Sequence, residues 1–165
     1  MRRMLLVLAA VFATAALAVP TALAVNAHFI SASAALNTDG TLTASFKEAG
    51  LGTNQLIDYA LTADGSATYV CVNKGGSNPS AQNKSTVNGP VSATGEFNSG
   101  KNGNVTGSLT VSPPPSNISC PKGQTLQVAS VSYANVTLTD TTNNIAVSLG
   151  NFSSGCLLPD VRGAC

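Results

Sequence analysis

The sequence TLTASFK, residues 41–47, alternates polar and apolar side chains without interruption. Leu42, Ala44 and Phe46 point to one side and the residues between them to the other, because successive side chains of an extended strand face opposite ways. The stretch therefore predicts a β-strand with one buried face.

The flanking sequence predicts three hairpins. The first joins this strand to residues 30–36, where Ile30, Ala32, Ala34 and Leu36 alternate in the same manner and 38–40 reads TDG, which is typical of a positive-φ turn. A second hairpin is expected around Asp64-Gly65, between residues 57–61 and 67–72. A third would pair residues 91–97 with 105–111 around the turn residues 99–103.

The rest of the chain contains turn signals and one irregular apolar pattern. Residues 73–88 predict a long exposed loop, and the prolines at 113–115 should end a strand and begin an extended crossing towards Lys122. From Leu126 to Leu138 the apolar phase slips, which indicates a bulge or a strand that moves between sheets. Residues 140–144 predict a turn before a final strand over 145–149.

These segments predict an all-β fold of about seven to nine short strands. The most economical packing is a two-sheet antiparallel β-sandwich of immunoglobulin-like architecture. A closed barrel is the alternative, since a period of two does not distinguish them. The chain has no Trp, so the tryptophan that packs on the disulfide of antibody domains is absent.

The first 24 residues have the features of an export signal. Arg2 and Arg3 precede an apolar run over 4–19, and small residues follow at 22–24. Cleavage after Ala24 would leave 141 of the 165 residues, enough for one domain over 25–165. The expected location is therefore secreted and extracellular.

Four cysteines lie in the expected mature chain: Cys71, Cys120, Cys156 and Cys165. An even count in an oxidising compartment predicts two disulfides, for which three pairings exist. Metal binding is less favoured, because there is no C-x-x-C pair and only one histidine. The last two cysteines enclose a short loop with Pro159 and Gly163 that can close on itself, which favours Cys156–Cys165 and leaves Cys71–Cys120.

The charge balance limits the partners of the mature chain. Of the eight basic residues in the sequence, loss of Arg2 and Arg3 leaves six against seven acidic ones. A near-neutral, charge-poor surface offers no basic stripe for nucleic acid and no polybasic patch for a membrane. No cofactor motif is present, so the expected partner is an extracellular glycan or protein.

The residues available for catalysis are few. His28 is the only histidine, no G-x-S-x-G elbow presents a serine, and Glu48 with Glu96 is the one carboxylate pair considered for glycoside hydrolysis. Asp140 with Asn143 and Asn144 is a weak calcium-like pattern that turns also use. The sequence predicts no catalytic, metal or cofactor residues and favours a domain without turnover.

Three features could bind a ligand. Tyr59, Tyr69 and Tyr133, with Asn73, could form an aromatic and polar surface for sugars, although each tyrosine is in phase with apolar residues and fits a core position. The loop Gly75 to Ser85 could contact a partner. Residues 116–119, between the prolines and Cys120, could be an inhibitory loop or a plain connector.

Several strings in the mature chain also resemble small exported proteins of actinomycetes: SFKEAGLG at 45–52, CVNKGG at 71–76, NK at 83–84, CPKGQ at 120–124 and VSY at 131–133. The resemblance implies export and no particular chemistry. Together these features predict an exported non-catalytic binding or structural domain. A secreted hydrolase, a protease inhibitor and a carbohydrate-binding module are the alternatives.

Overall fold

A computed structural model describes residues 26–77 and 83–165. The expected export signal, residues 1–24, lies outside these ranges. Seven strands form: β1 His28–Leu36, β2 Leu42–Ala49, β3 Leu56–Asn73, β4 Lys84–Asn98, β5 Val105–Val111, β6 Gln124–Asp140 and β7 Ile145–Ser153. The described ranges contain no α-helix, and hence no helix long and apolar enough to cross a membrane.

The strands form two antiparallel sheets, in the orders β1-β2-β5 and β4-β3-β6-β7. The predicted sandwich is thereby confirmed. In a constant-type immunoglobulin domain the fourth strand extends the sheet that holds the first two strands. Here β4 joins the other sheet, so the second sheet has four strands and the first has three.

The first hairpin, between β1 and β2, is confirmed. Gly40 has a φ of 87° in the turn, which the Asp39 carboxylate supports by accepting from the Thr41 backbone N–H. The register shifts between Phe29 and Ser31, and this bulge turns Ile30 outward. Phe29 therefore packs against the core at the position predicted for Ile30.

The second predicted hairpin is wrong, because Asp64 and Gly65 lie in the middle of the single long strand β3. The two residues pair with Pro90 and Gly89 of β4, and β6 pairs through the same region. The apolar phase at odd-numbered positions continues across Gly65, as one uninterrupted strand requires. Glycine is needed there for close approach: a Cβ would lie 2.9 Å from the Pro114 ring.

The third predicted hairpin is also wrong, since β4 and β5 belong to different sheets. The connection over 99–104 crosses from one sheet to the other instead of turning back. Buried Ser99 stabilises this crossing: its hydroxyl donates to the Gly52 carbonyl and accepts from the Gln55 N–H. A pairing rule based on sequence neighbours cannot distinguish such a crossing from a hairpin.

Four aromatic rings fill one end of the space between the sheets. Phe46 of β2 lies 4.5 Å from Tyr59, 5.6 Å from Phe97 and 6.2 Å from Phe29, measured between ring centroids. Gly107 faces these rings, and a Cβ there would come within 2.7 Å of Phe97. Small residues on the facing strands thus provide the volume that the rings occupy.

The C-terminal half of β3 is covered by an extended crossing, as the prolines at 113–115 led us to expect. This segment follows β5, and Pro114 is buried in it. The Tyr69 hydroxyl donates to the Pro114 carbonyl at 2.7 Å. The Cys71–Cys120 disulfide then joins the end of β3 to the end of the crossing.

The irregular apolar phase of β6 arises from two bulges. Its register against β3 shifts near Ala129 and again near Asn135. Asn135 has a φ of 55°, and its side-chain amide donates to the Asp64 carboxylate. The bulge interpretation is therefore confirmed, and β6 stays within one sheet throughout.

The chain after β7 folds back onto the outer face of the four-stranded sheet. Ala164 is fully buried there against Val70, Val72 and Ala129, a small apolar cluster separate from the main core. The Cys156–Cys165 disulfide closes this segment. Both predicted disulfides are confirmed, and they indicate an oxidising, extracellular environment.

Candidate functional site

The three tyrosines do not form a ligand surface. Tyr59 and Tyr133 are each 1% exposed and Tyr69 is 8% exposed, all within the main core. The Tyr133 hydroxyl donates to the Gly40 carbonyl at 2.8 Å, and burial raises the pKa of Tyr133 to about 12. An aromatic platform is therefore wrong, and the core interpretation is confirmed, because each tyrosine follows the inward phase of its strand.

Asn73 has a structural role in the turn after β3. Its side-chain oxygen accepts from the Gly75 N–H at 2.9 Å and from the Ser77 N–H at 3.1 Å. Such an Asx arrangement holds a loop by mimicking backbone hydrogen bonds. The oxygen is thus occupied by the protein itself.

The exposed loop predicted over 73–88, which includes the contact loop Gly75 to Ser85, ends earlier than expected. Residues 78–82 lie outside the described ranges, and β4 begins at Lys84. The expectation of a loop extending to residue 88 is wrong, because residues 84–88 pair with β3.

A groove of about 420 Å³ lies on the outer face of the four-stranded sheet. Half of its lining residues carry hydroxyl groups: Ser66, Thr68, Thr86, Ser130, Ser132 and Ser153. The groove is open and polar, and it lies next to the C-terminal segment closed by Cys156–Cys165. It is the best candidate for a functional site in the described part of the chain.

Strand pairing arranges these hydroxyls in two rows across the sheet. Thr68 of β3 lies between Thr86 of β4 and Ser130 of β6. Paired strands are roughly 4.8 Å apart, so neighbouring groups in a row repeat at about that interval. The Thr68 and Thr86 hydroxyls lie 2.9 Å apart, close enough for a hydrogen bond.

The second row lies two residues earlier on β3, at Ser66. Ser132 of β6 pairs with Ser66 of β3 on one side and with Ser153 of β7 on the other. Two residues of a strand span roughly 6.8 Å, which sets the spacing between the rows. The groove therefore presents a small two-dimensional array of groups that can each donate and accept hydrogen bonds.

Lys84 adds one charge to this array. It lines the groove from the first residue of β4 and is half-buried. No aspartate or glutamate side chain is among the lining residues that the structure describes. The groove therefore suits an uncharged or weakly anionic ligand rather than a cation.

A second polar cluster lies inside the sandwich and consists of Glu48, Tyr59 and Asp140. Both acids are fully buried. The two Glu48 carboxyl oxygens and the Tyr59 hydroxyl all lack a hydrogen-bond partner of good geometry. Tyr59 and Asp140 nevertheless lie close enough to Glu48 to perturb its pKa. Buried acids without a basic partner are unusual and costly.

Burial is the main cause of the altered ionisation in this cluster. It raises the pKa of Glu48 to about 7; the Tyr59 hydroxyl opposes the rise, the Asp140 carboxyl adds to it, and His28 opposes it weakly. Burial and the neighbouring acids also raise the pKa of Tyr59. Glu48 therefore keeps its proton at pH values where exposed glutamates have lost theirs.

The carboxylate pair considered from the sequence, Glu48 with Glu96, is not brought together. Glu96 lies on the exposed face of β4, opposite Asp58 of β3. The partner of Glu48 is Asp140 instead. His28 is exposed at the start of β1, where Nδ1 donates to the Asn26 carbonyl at 2.8 Å.

Asp140 is part of the turn that the sequence predicted. Its Oδ1 accepts from the Asn143 N–H at 2.9 Å, and its Oδ2 accepts from the Asn143 amide at 2.6 Å. Asn144 follows with a φ of 57°. The described residues contain no group of three or more histidine, cysteine or acidic side chains that could hold a metal ion.

Neither the groove nor the Glu48–Asp140 pair was predicted from the sequence. Glu48 continues the inward series Leu42, Ala44 and Phe46, and that phase was a usable signal for burial. The groove had no such signal, because exposed Ser and Thr are common on solvated strands. No known protein family matches the chain, and no curated protein is recognisably similar to it.

Proposed function

We propose that this chain is an exported, non-catalytic domain that binds an extracellular glycan through the hydroxyl-lined groove. The observation that supports the proposal most directly is the pair of hydroxyl rows centred on Thr68 and Ser132. Sugar rings display hydroxyl groups that need both donors and acceptors, and serine and threonine supply both.

The groove differs from an aromatic sugar platform, since the polar side chains that line it carry hydroxyls and one ammonium group. Each hydrogen bond to a ligand contributes about 1 kcal/mol net, so affinity would depend on several contacts along a polymer. A glycan chain with repeated hydroxyls can make them along both rows. The expected binding is therefore moderate for short oligosaccharides and stronger for polymers.

The buried acids support the non-catalytic part of the proposal. A glycosidase needs two carboxyls that reach the scissile bond from a cleft. Glu48 and Asp140 are both 0% exposed, and Glu96 has only Asp58 opposite it. No described acid therefore lines the groove in a position to act on a bound sugar.

The segment 116–119 is favoured as a connector rather than an inhibitory loop. Ile118 packs against the main core, and the Ser116 hydroxyl accepts from the Ile118 N–H. The Asn117 side chain accepts from the Ser85 hydroxyl at 2.7 Å. These contacts tie the segment to the sandwich, whereas an inhibitory loop must project to enter an active site.

Loss of groove hydroxyls should weaken glycan binding. In a pull-down with insoluble cellulose, chitin, starch and cell wall, we expect Thr68→Val combined with Ser132→Ala to reduce the affinity for the bound glycan about thirtyfold, because two hydrogen bonds of about 1 kcal/mol each are lost. Thr94→Val is the matched control: it removes a hydroxyl from the exposed face of β4 outside the groove. Equal binding by the groove variant and the wild type, or no binding to any glycan, would contradict the proposal.

Export is tested separately. The predicted signal and the two disulfides support secretion with cleavage after Ala24. Intact-mass analysis of protein from the culture medium should give a chain that begins at Val25. Recovery of the chain with residues 1–24 attached, or only from the cell interior, would refute this expectation.

A further inference from the structure

We propose that Glu48 holds a proton at the interface between the two sheets, where it faces Asp140, and so forms a pH-sensitive clamp. With the proton present, the sheets pack closely at this end of the sandwich. When Glu48 loses the proton, a buried carboxylate is left facing a second acid, and the packing of β2 against the four-stranded sheet loosens. The inference does not depend on what the groove binds.

The geometry places the two acids on opposite sheets. Glu48 is the inward-facing residue after Phe46 on β2, in the three-stranded sheet. Asp140 ends β6 in the four-stranded sheet and is the direct cross-strand partner of Tyr59. The Tyr59 ring lies 4.5 Å from the Phe46 ring, which brings the two strands together at this point.

No cation in the described chain neutralises the pair. The groups that face Glu48 are Tyr59 from β3, Asp140 from β6 and, more weakly, His28 from β1. His28 is exposed, so solvent screens its charge. Ionising a buried carboxyl beside a second acid, with no cation to neutralise it, carries a large cost, so the protonated form of Glu48 is favoured.

The hydrogen bonds indicate which acid holds the proton. Both Asp140 oxygens accept hydrogen bonds from Asn143. Neither Glu48 oxygen has a donor of good geometry, although the Tyr59 hydroxyl lies nearby. A protonated Glu48 can donate to Asp140, whereas an ionised Glu48 leaves two charged oxygens without a well-aligned donor. The proton therefore resides on Glu48.

The sign of the pH dependence follows from the Glu48 ionisation. Its pKa is raised in the folded state to about 7, above the ordinary value of 4.5. The folded state then binds more protons than the unfolded state between these values. The stabilisation is complete below pH 4.5, falls as pH rises and is lost above about pH 7.

Denaturant unfolding between pH 5 and 8 tests the clamp. We expect the wild-type folding equilibrium constant to fall on the order of 100-fold over this range, as a pKa shift of this size requires. Glu48→Gln should abolish most of that fall, since its amide can donate to Asp140 but cannot ionise. Glu96→Gln, at an exposed acid, should keep it.

Carbon-detected NMR titration of the wild-type carboxyl groups provides a second measurement that needs no variant. The Glu48 carboxyl should titrate with a midpoint near pH 7. Amide exchange along β2, compared at pH 8, should be faster in the wild type than in Glu48→Gln. A Glu48 midpoint below pH 5.5, or an unchanged pH dependence in Glu48→Gln, would overturn the inference.

Discussion

Replacing both Cys71 and Cys120 with alanine will lower the free energy of unfolding by about 4 kcal/mol, because the disulfide closes a long loop in the unfolded chain. The two cysteines are 49 residues apart in sequence. The bond also holds the proline-containing crossing over the C-terminal half of β3, where Tyr69 and Gly65 contact Pro114. Urea denaturation at pH 5 measures the loss.

The second disulfide provides the control for this prediction. Cys156 and Cys165 are 9 residues apart, so the same loop-closure argument gives about 2.7 kcal/mol. That double alanine variant should also weaken glycan binding, since both cysteines line the groove. A larger loss of stability from the short loop than from the long one would show that the chain-entropy argument does not apply here.

Replacing Phe46 with alanine will lower the free energy of unfolding by about 3 to 5 kcal/mol. Phe46 is 3% exposed and contacts three other aromatic rings between the sheets. Its removal leaves a cavity that the flanking strands cannot close. Urea denaturation should be performed at pH 5, where the Glu48 side chain two residues away keeps its proton.

Ile30→Ala is the matched control for Phe46→Ala. Both residues are apolar and lie on neighbouring strands, but Ile30 is 52% exposed because of the bulge in β1. We expect its replacement to change the stability by less than about 0.5 kcal/mol. Similar losses for the two variants would mean that the bulge is absent in solution and that Ile30 belongs to the core.

The buried acids illustrate how far the local pattern can predict a site. Glu48 follows Leu42, Ala44 and Phe46 at steps of two, and Asp140 follows Val136 and Leu138 in the same way. The phase of each strand therefore predicts that its acid faces inward. That the two acids meet depends on how the sheets pack, which neither strand encodes alone.

The sequence by itself determined the β class, the phase of most strands, the first hairpin, the irregularity of β6 and the disulfide pairing. Each of these depends on residues close together in the chain or on a small number of combinations. A period of two, a TDG turn and a closing loop between the last two of four cysteines predict them.

Beyond the first hairpin, only the tertiary structure decided which strands are neighbours. Asp64-Gly65 has the composition of a turn, yet flanking pairs with β4 and β6 keep it extended. The connection over 99–104 resembles a hairpin but crosses between sheets. The hydroxyl rows of the groove depend on the same strand pairing, since they join residues far apart in sequence. Local propensity does not decide this pairing, because it is weaker than the free energy of burying a whole sheet face.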